Sequence, residues 1–93
     1  MKKEPNFSDD LIEDIMINIF DFCPCGAPYI FVNQLYDYLK LVEARALPDD
    51  KYVAYEYIAD KARLTEHGTS VLGAWLTDEG KKLLKIMEED NEN

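Results

Sequence analysis

Few residues in this chain are of types that do chemistry, and their spacing limits each reading. Cys23 and Cys25 stand one residue apart in the run Cys23-Pro24-Cys25-Gly26-Ala27-Pro28. A closed zinc site takes four ligands, and the single histidine, His67, lies far along the chain. The common redox motif has two residues between its cysteines, not one. The pair is therefore read as two small buried thiols at a tight turn, with a metal site shared between two chains as the weaker alternative. His67 precedes Gly68 and is expected to be a hydrogen-bonding turn residue rather than a general base, although it could titrate near neutral pH. No Gly-rich phosphate loop precedes a helix, and no serine sits in a nucleophile elbow. No catalytic residue, metal or cofactor is expected.

Charge says more. The 93 residues carry 10 basic and 19 acidic side chains, a formal net charge of −9. Such a balance opposes attraction to nucleic acid or to an anionic membrane and favours a basic partner. Residues 1–22 hold two Lys against six acids, and residues 23–48 balance. Residues 49–76 hold three basic groups against five acids, and residues 77–93 three against six. No segment is basic. There is no N-terminal signal and no apolar run long enough to span a bilayer, so the cytoplasm is the expected location. The length suits one domain over residues 1–93, with 1–7 and 89–93 as flexible tails.

The elements follow from caps and periodicity. Ser8 caps a first helix with Asp9 and Asp10 in its first turn. Leu11, Ile12, Ile15, Met16, Ile19, Phe20 and Phe22 cover about half of its circumference, and acids fill most of the rest, with Ile17 among them. So wide an apolar arc suits a core helix or one that also makes a dimer contact. Tyr29-Ile30-Phe31-Val32 is rich in β-formers and reads as a short strand, after which Asn33 caps a second helix. Asp49 or Asp50 caps a third helix that runs to about Arg63. On its wheel Ala54, Tyr55, Ile58, Ala59 and Ala62 face inward. Glu56 and Asp60, four residues apart, face outward, with Tyr52 on one edge of the patch and Tyr57 on the other. Gly68 and Gly73 bracket a hairpin tip, and Thr77 caps a last helix with Asp78 and Glu79 in its first turn. Leu83, Leu84, Ile86 and Met87 form its inward stripe, and Lys81, Lys82 and Lys85 are placed to pair with Glu88 and Glu89.

A helix, a hairpin and then Trp75-Leu76-Thr77-Asp78-Glu79-Gly80-Lys81-Lys82-Leu83-Leu84 resemble the wing of a winged helix-turn-helix domain. The resemblance covers about residues 8–88 and is specific only in the hairpin and last helix. It implies a mainly α fold with a small β-hairpin (α+β), with the third helix in the place of the recognition helix. In many such regulators the first and last helices form a homodimer. Family members that bind DNA often carry Arg or Lys at the wing tip, and residues 68–73 have neither.

Three functions follow as expectations. The first is a small non-enzymatic regulator acting through protein contacts, its acidic surfaces mimicking the charge of DNA toward a basic partner. Asp10, Asp14, Ile17, Asp21, Tyr52, Glu56, Tyr57 and Asp60 would carry it. The second is a dimeric DNA-binding transcription regulator, with Lys51, Lys61, Arg63, Thr69 and Ser70 on phosphates. The third, a small enzyme or metal protein using Cys23, Cys25 and His67, has the least support.

Overall fold

The computed structural model describes residues 6–20, 28–46, 50–69 and 73–91. In chain order these form α1 (Asp9–Asn18), α2 (Pro28–Glu43), one 3-10 turn (Asp50–Tyr52), α3 (Val53–Lys61), β1 (Thr65–Glu66), β2 (Trp75–Leu76) and α4 (Asp78–Asn91). The two strands pair antiparallel, with Thr65 opposite Leu76 and Glu66 opposite Trp75. The chain is therefore mainly helical with a small antiparallel hairpin.

The cap at Ser8 forms as expected. Its carbonyl accepts from the Ile12 amide at 3.0 Å, and its hydroxyl oxygen accepts from the Leu11 amide at 3.3 Å. The first helix stops at Asn18, short of the expected Phe22. Beyond it, Phe20 turns into the core, edge-on to Phe31 and Tyr55 at 5.8 and 6.2 Å.

Residues 29–32 are not a strand. They lie in the first turns of α2, and Asn33 lies inside that helix rather than at its cap. Pro28 explains the start, because its fixed φ suits the first helical position and its missing N–H loses no helical bond there. Val32, Leu35, Tyr36, Leu39 and Val42 then bury one stripe at helical spacing, and this packing outweighs the local β preference. Nor does an aspartate cap α3. Asp50 opens the 3-10 turn, and Tyr52 occupies the cap position without a side-chain cap bond.

Two helices end in the same way. The Arg45 amide donates to Val42 and the Ala46 amide to Leu41, while the Arg63 amide donates to Asp60 and the Leu64 amide to Ala59. These are paired C-terminal closures of the Schellman type, which need a left-handed residue. Both positions, usually glycine, hold the chain's two arginines, at φ 58° and 62°. Arg45→Gly and Arg63→Gly should each raise stability by about 0.5–1 kcal/mol, because glycine relieves the steric penalty of the left-handed region. The urea midpoint reads this; a lowered midpoint would mean that a guanidinium contact outweighs the strain.

Thr77 locks the hairpin to the helices on either side. Its amide donates to the Leu64 carbonyl at 3.0 Å and its hydroxyl to the Arg63 carbonyl at 2.6 Å, while its Oγ1 accepts from the Gly80 amide at 3.1 Å. The expected cap of the last helix is thus present, and it also ties that helix to the end of α3. A Cβ on Gly80 would run into the Leu64 carbonyl oxygen, so glycine is what lets α4 approach.

Residues 89–91, expected in a flexible tail, continue α4. The Asp90 carboxylate accepts from the Ser8 amide at 2.7 Å and from the Ser8 hydroxyl at 3.1 Å, and Asn91 Oδ1 accepts from the Asn6 amide at 2.8 Å. Phe7, expected in a loose arm, is buried edge-on to Tyr36 at 5.2 Å. Residues 1–5 and 92–93 lie outside the described residues. Ile86 faces solvent, not the core, and the lysine pair found on this helix is Lys82 with Glu79. The core itself is built from Val32, Leu35, Tyr38 and Leu39 of α2 against Leu84 and Met87 of α4. No described helix is long and apolar enough to cross a membrane.

Candidate functional site

Two surfaces hold the candidate residues. The first is α3 with the start of the hairpin. A helix wheel groups Glu56 with Asp60, but the fold separates them. Asp60 stays exposed, whereas Glu56 is only 4% exposed. Neither Glu56 carboxylate oxygen has a hydrogen-bond partner among the described residues, and the buried hydroxyl of Thr65 is equally unpaired. Burial pushes the Glu56 carboxyl up to about 7, and the charge of Asp60 adds to this, while His67 and the nearby Thr65 hydroxyl act in the opposite direction. His67 Nε2 lies 3.9 Å from Asp60 Oδ1, and its Nδ1 lies 3.0 Å from the Gly68 carbonyl oxygen, the contact expected of a turn residue.

Tyr52 is likewise withdrawn from the surface assigned to it. It is buried between Tyr38 and Tyr55, at centroid distances of 6.2 and 6.3 Å, with Lys51 Nζ 5.1 Å from its ring centre. Tyr55 donates its hydroxyl to Gln34 Oε1 at 2.6 Å. Of the expected patch on α3, then, Tyr57 (64% exposed) and Asp60 remain on the surface, and Tyr52 and Glu56 do not. Lys51, Lys61, Arg63 and Thr69 are all exposed; Ser70 lies outside the described residues.

The second surface is α1. Asp9, Asp10, Glu13 and Asp14 are all exposed, and the helix Asp9–Asn18 contains no basic residue. Ile17 stands among them, 52% exposed; Asp21 lies outside the described residues. The fold places Asp10, Asp14 and Ile17 on one helix, apart in sequence from Tyr57 and Asp60 on α3.

Beside α1 runs a groove of about 600 Å³. Its apolar walls are Phe7, Ile12, Met16 and Ile17 on one side and Pro28 and Tyr29 of α2 on the other. Asp9 and Glu13 line it as well. Sequence reasoning missed this groove because it took residues 29–32 for a strand. The signal was Pro28 followed by apolar residues at helical spacing.

Among the described residues no group of three His, Cys, Asp or Glu side chains is placed to hold a metal ion. Cys23 and Cys25 lie outside the described residues. No protein-family model, no curated protein and no solved structure matches this chain.

Proposed function

We propose that this chain is a small winged-helix regulatory protein that acts through protein contacts and has no catalytic or cofactor site of its own. Three helices, an antiparallel hairpin and a fourth helix support the winged-helix part of the reading, with α2 and α3 as the helix-turn-helix and β1–β2 as the wing. The observation that carries the protein-contact part is the outer face of α1, with four exposed carboxylates, no base in the helix and exposed Ile17. Such a face suits a basic partner, including a nucleic-acid-binding protein for which it mimics the charge of DNA. The cytoplasm is the proposed location. A homodimer through the first and last helices is the alternative use of these faces, with Ile17 and Ile86 as the exposed apolar residues on them.

A second reading, DNA binding through α3 and the wing, gains from one observation. Burial of Glu56 removes one of the two acids expected on the outward face of α3, while Lys51, Lys61 and Arg63 stay exposed. Titration of mixed-sequence duplex DNA across a salt series, with the mass in solution recorded, separates the two. The expected result is no binding even at low salt. Tight binding that weakens steeply with salt would establish the DNA reading instead.

A further inference from the structure

We propose that the groove between α1 and the start of α2 seats a basic amphipathic helix of a partner protein. The inference rests on the protein-contact reading above and names where the contact is made and what makes it.

The geometry is that of a helix-in-groove site. Asp9, Ile12, Glu13, Met16 and Ile17 follow one another at helical spacing along α1, a stripe about 12 Å long at 1.5 Å per residue. Pro28 and Tyr29 form the opposite wall. A partner helix of two to three turns laid along this stripe would put apolar side chains at i, i+3/i+4 and i+7 into the groove. Ile17 and Tyr29, 52% and 55% exposed, supply apolar area that is open to solvent without the partner. Tyrosine is among the side chains that anchor interfaces.

Charge selects the occupant. Asp9 and Glu13 line the groove, and Asp10 and Asp14 stand beside them on a helix without a base. An apolar small molecule would leave these carboxylates unused. A second copy of this chain, paired through the same face, would bring its four carboxylates against these four. A helix with leucine-like residues on one side and lysine or arginine along both edges satisfies the apolar walls and the acidic rim together.

The probe is a synthetic 18-residue helical peptide of lysine and leucine, leucine spaced at i, i+3, i+4 and i+7, titrated by calorimetry and by amide chemical shifts. A glutamate–leucine peptide of the same pattern and an apolar fluorescent dye serve as comparisons. The expected result is one peptide bound per chain, with shifts on α1 and the first turn of α2. Ile17→Glu or Tyr29→Ala should weaken binding at least tenfold, and Glu13→Lys should also weaken it. Glu43→Lys, the same charge change at the exposed far end of α2, should leave it unchanged. All these side chains face solvent, so the fold should survive each change.

Binding indifferent to Ile17→Glu and Tyr29→Ala, or shifts centred on α4, would overturn the groove while leaving protein contact through another acidic face intact. Dye binding in the groove without peptide binding would overturn it in favour of a small apolar ligand. Self-association lost on Ile17→Glu would overturn it in favour of a second copy. The DNA titration tests the underlying reading separately.

Discussion

Glu56→Gln should raise stability by about 2–3 kcal/mol above pH 8 and leave it nearly unchanged near pH 4. The cause is a carboxyl group buried beneath the start of the hairpin without a hydrogen-bond partner, its ionisation pushed from 4.5 to about 7 mainly by burial. Folding therefore favours the protonated acid. Near and below pH 4 the group is largely protonated in both folded and unfolded chains, and its contribution is fully present. As pH rises, the unfolded chain releases this proton first, near 4.5, and the folded chain holds it until about 7. Between those values stability falls, and above them the loss is complete. Each pH unit of displacement is worth about 1.4 kcal/mol, which makes roughly 3 kcal/mol the ceiling. Glutamine keeps the volume and cannot ionise, so the variant escapes the loss. Urea midpoints of both proteins from pH 4 to 9 read it directly. Other carboxylates tilt both curves alike, so the difference belongs to Glu56. Parallel curves would mean that water or a hydrogen bond already satisfies the charged group.

Gly80→Ala should lower stability by about 2–4 kcal/mol, enough to bring the melting temperature down by roughly 10 °C or more. At an exposed helical position the same change would stabilise by up to about 1 kcal/mol, so the sign itself is diagnostic. The added methyl would strike the Leu64 carbonyl oxygen and lie 3.2 Å from Leu76 Cδ2. Leu64 cannot withdraw freely, because that carbonyl holds the Thr77 amide and the neighbouring Arg63 carbonyl holds the Thr77 hydroxyl. Either α4 moves away, opening the contact of Leu84 and Met87 with α2, or the Thr77 bonds break. A thermal melt with no loss, or with a gain, would show that α4 has slack at this end.

Local chemistry was legible and tertiary covering was not. Thr77 followed by Asp78 and Glu79 announces a helix start in any context, and Ser8 with Asp9 and Asp10 does the same. Tyr29-Ile30-Phe31-Val32 misled because β-branched and aromatic residues favour strands only weakly. Pro28 and the periodicity that continues through Val42 are the stronger signal. The length of α1 was overread because Phe20 belongs to the same apolar stripe yet packs from beyond the helix end.

Glu56 shows the deeper limit. A wheel ranks it with Asp60 because both lie opposite the apolar side of their own helix, but it carries no information about what folds back over that helix. β1 returns beside α3, and Thr65 and Glu56 are buried where Asp60 is not. Tyr52 was lost from the proposed patch for the same reason, since Tyr38 and Tyr55 close around it. Asp10, Asp14 and Ile17 stay exposed because they lie on a face that no described element covers.

The bonds from Asn6 and Ser8 to Asn91 and Asp90 join residues more than eighty positions apart. Closing a chain segment that long costs on the order of 4 kcal/mol in entropy, more than three hydrogen bonds at roughly 1 kcal/mol each supply. The junction therefore closes only after α1, α2 and α4 have packed and have already brought the ends together. It acts as a keystone, set last and holding Asn6 and Phe7 in place. Because those two residues also line the groove beside α1, whatever occupies that groove favours the closed ring, and whatever opens the ring removes part of the groove's wall.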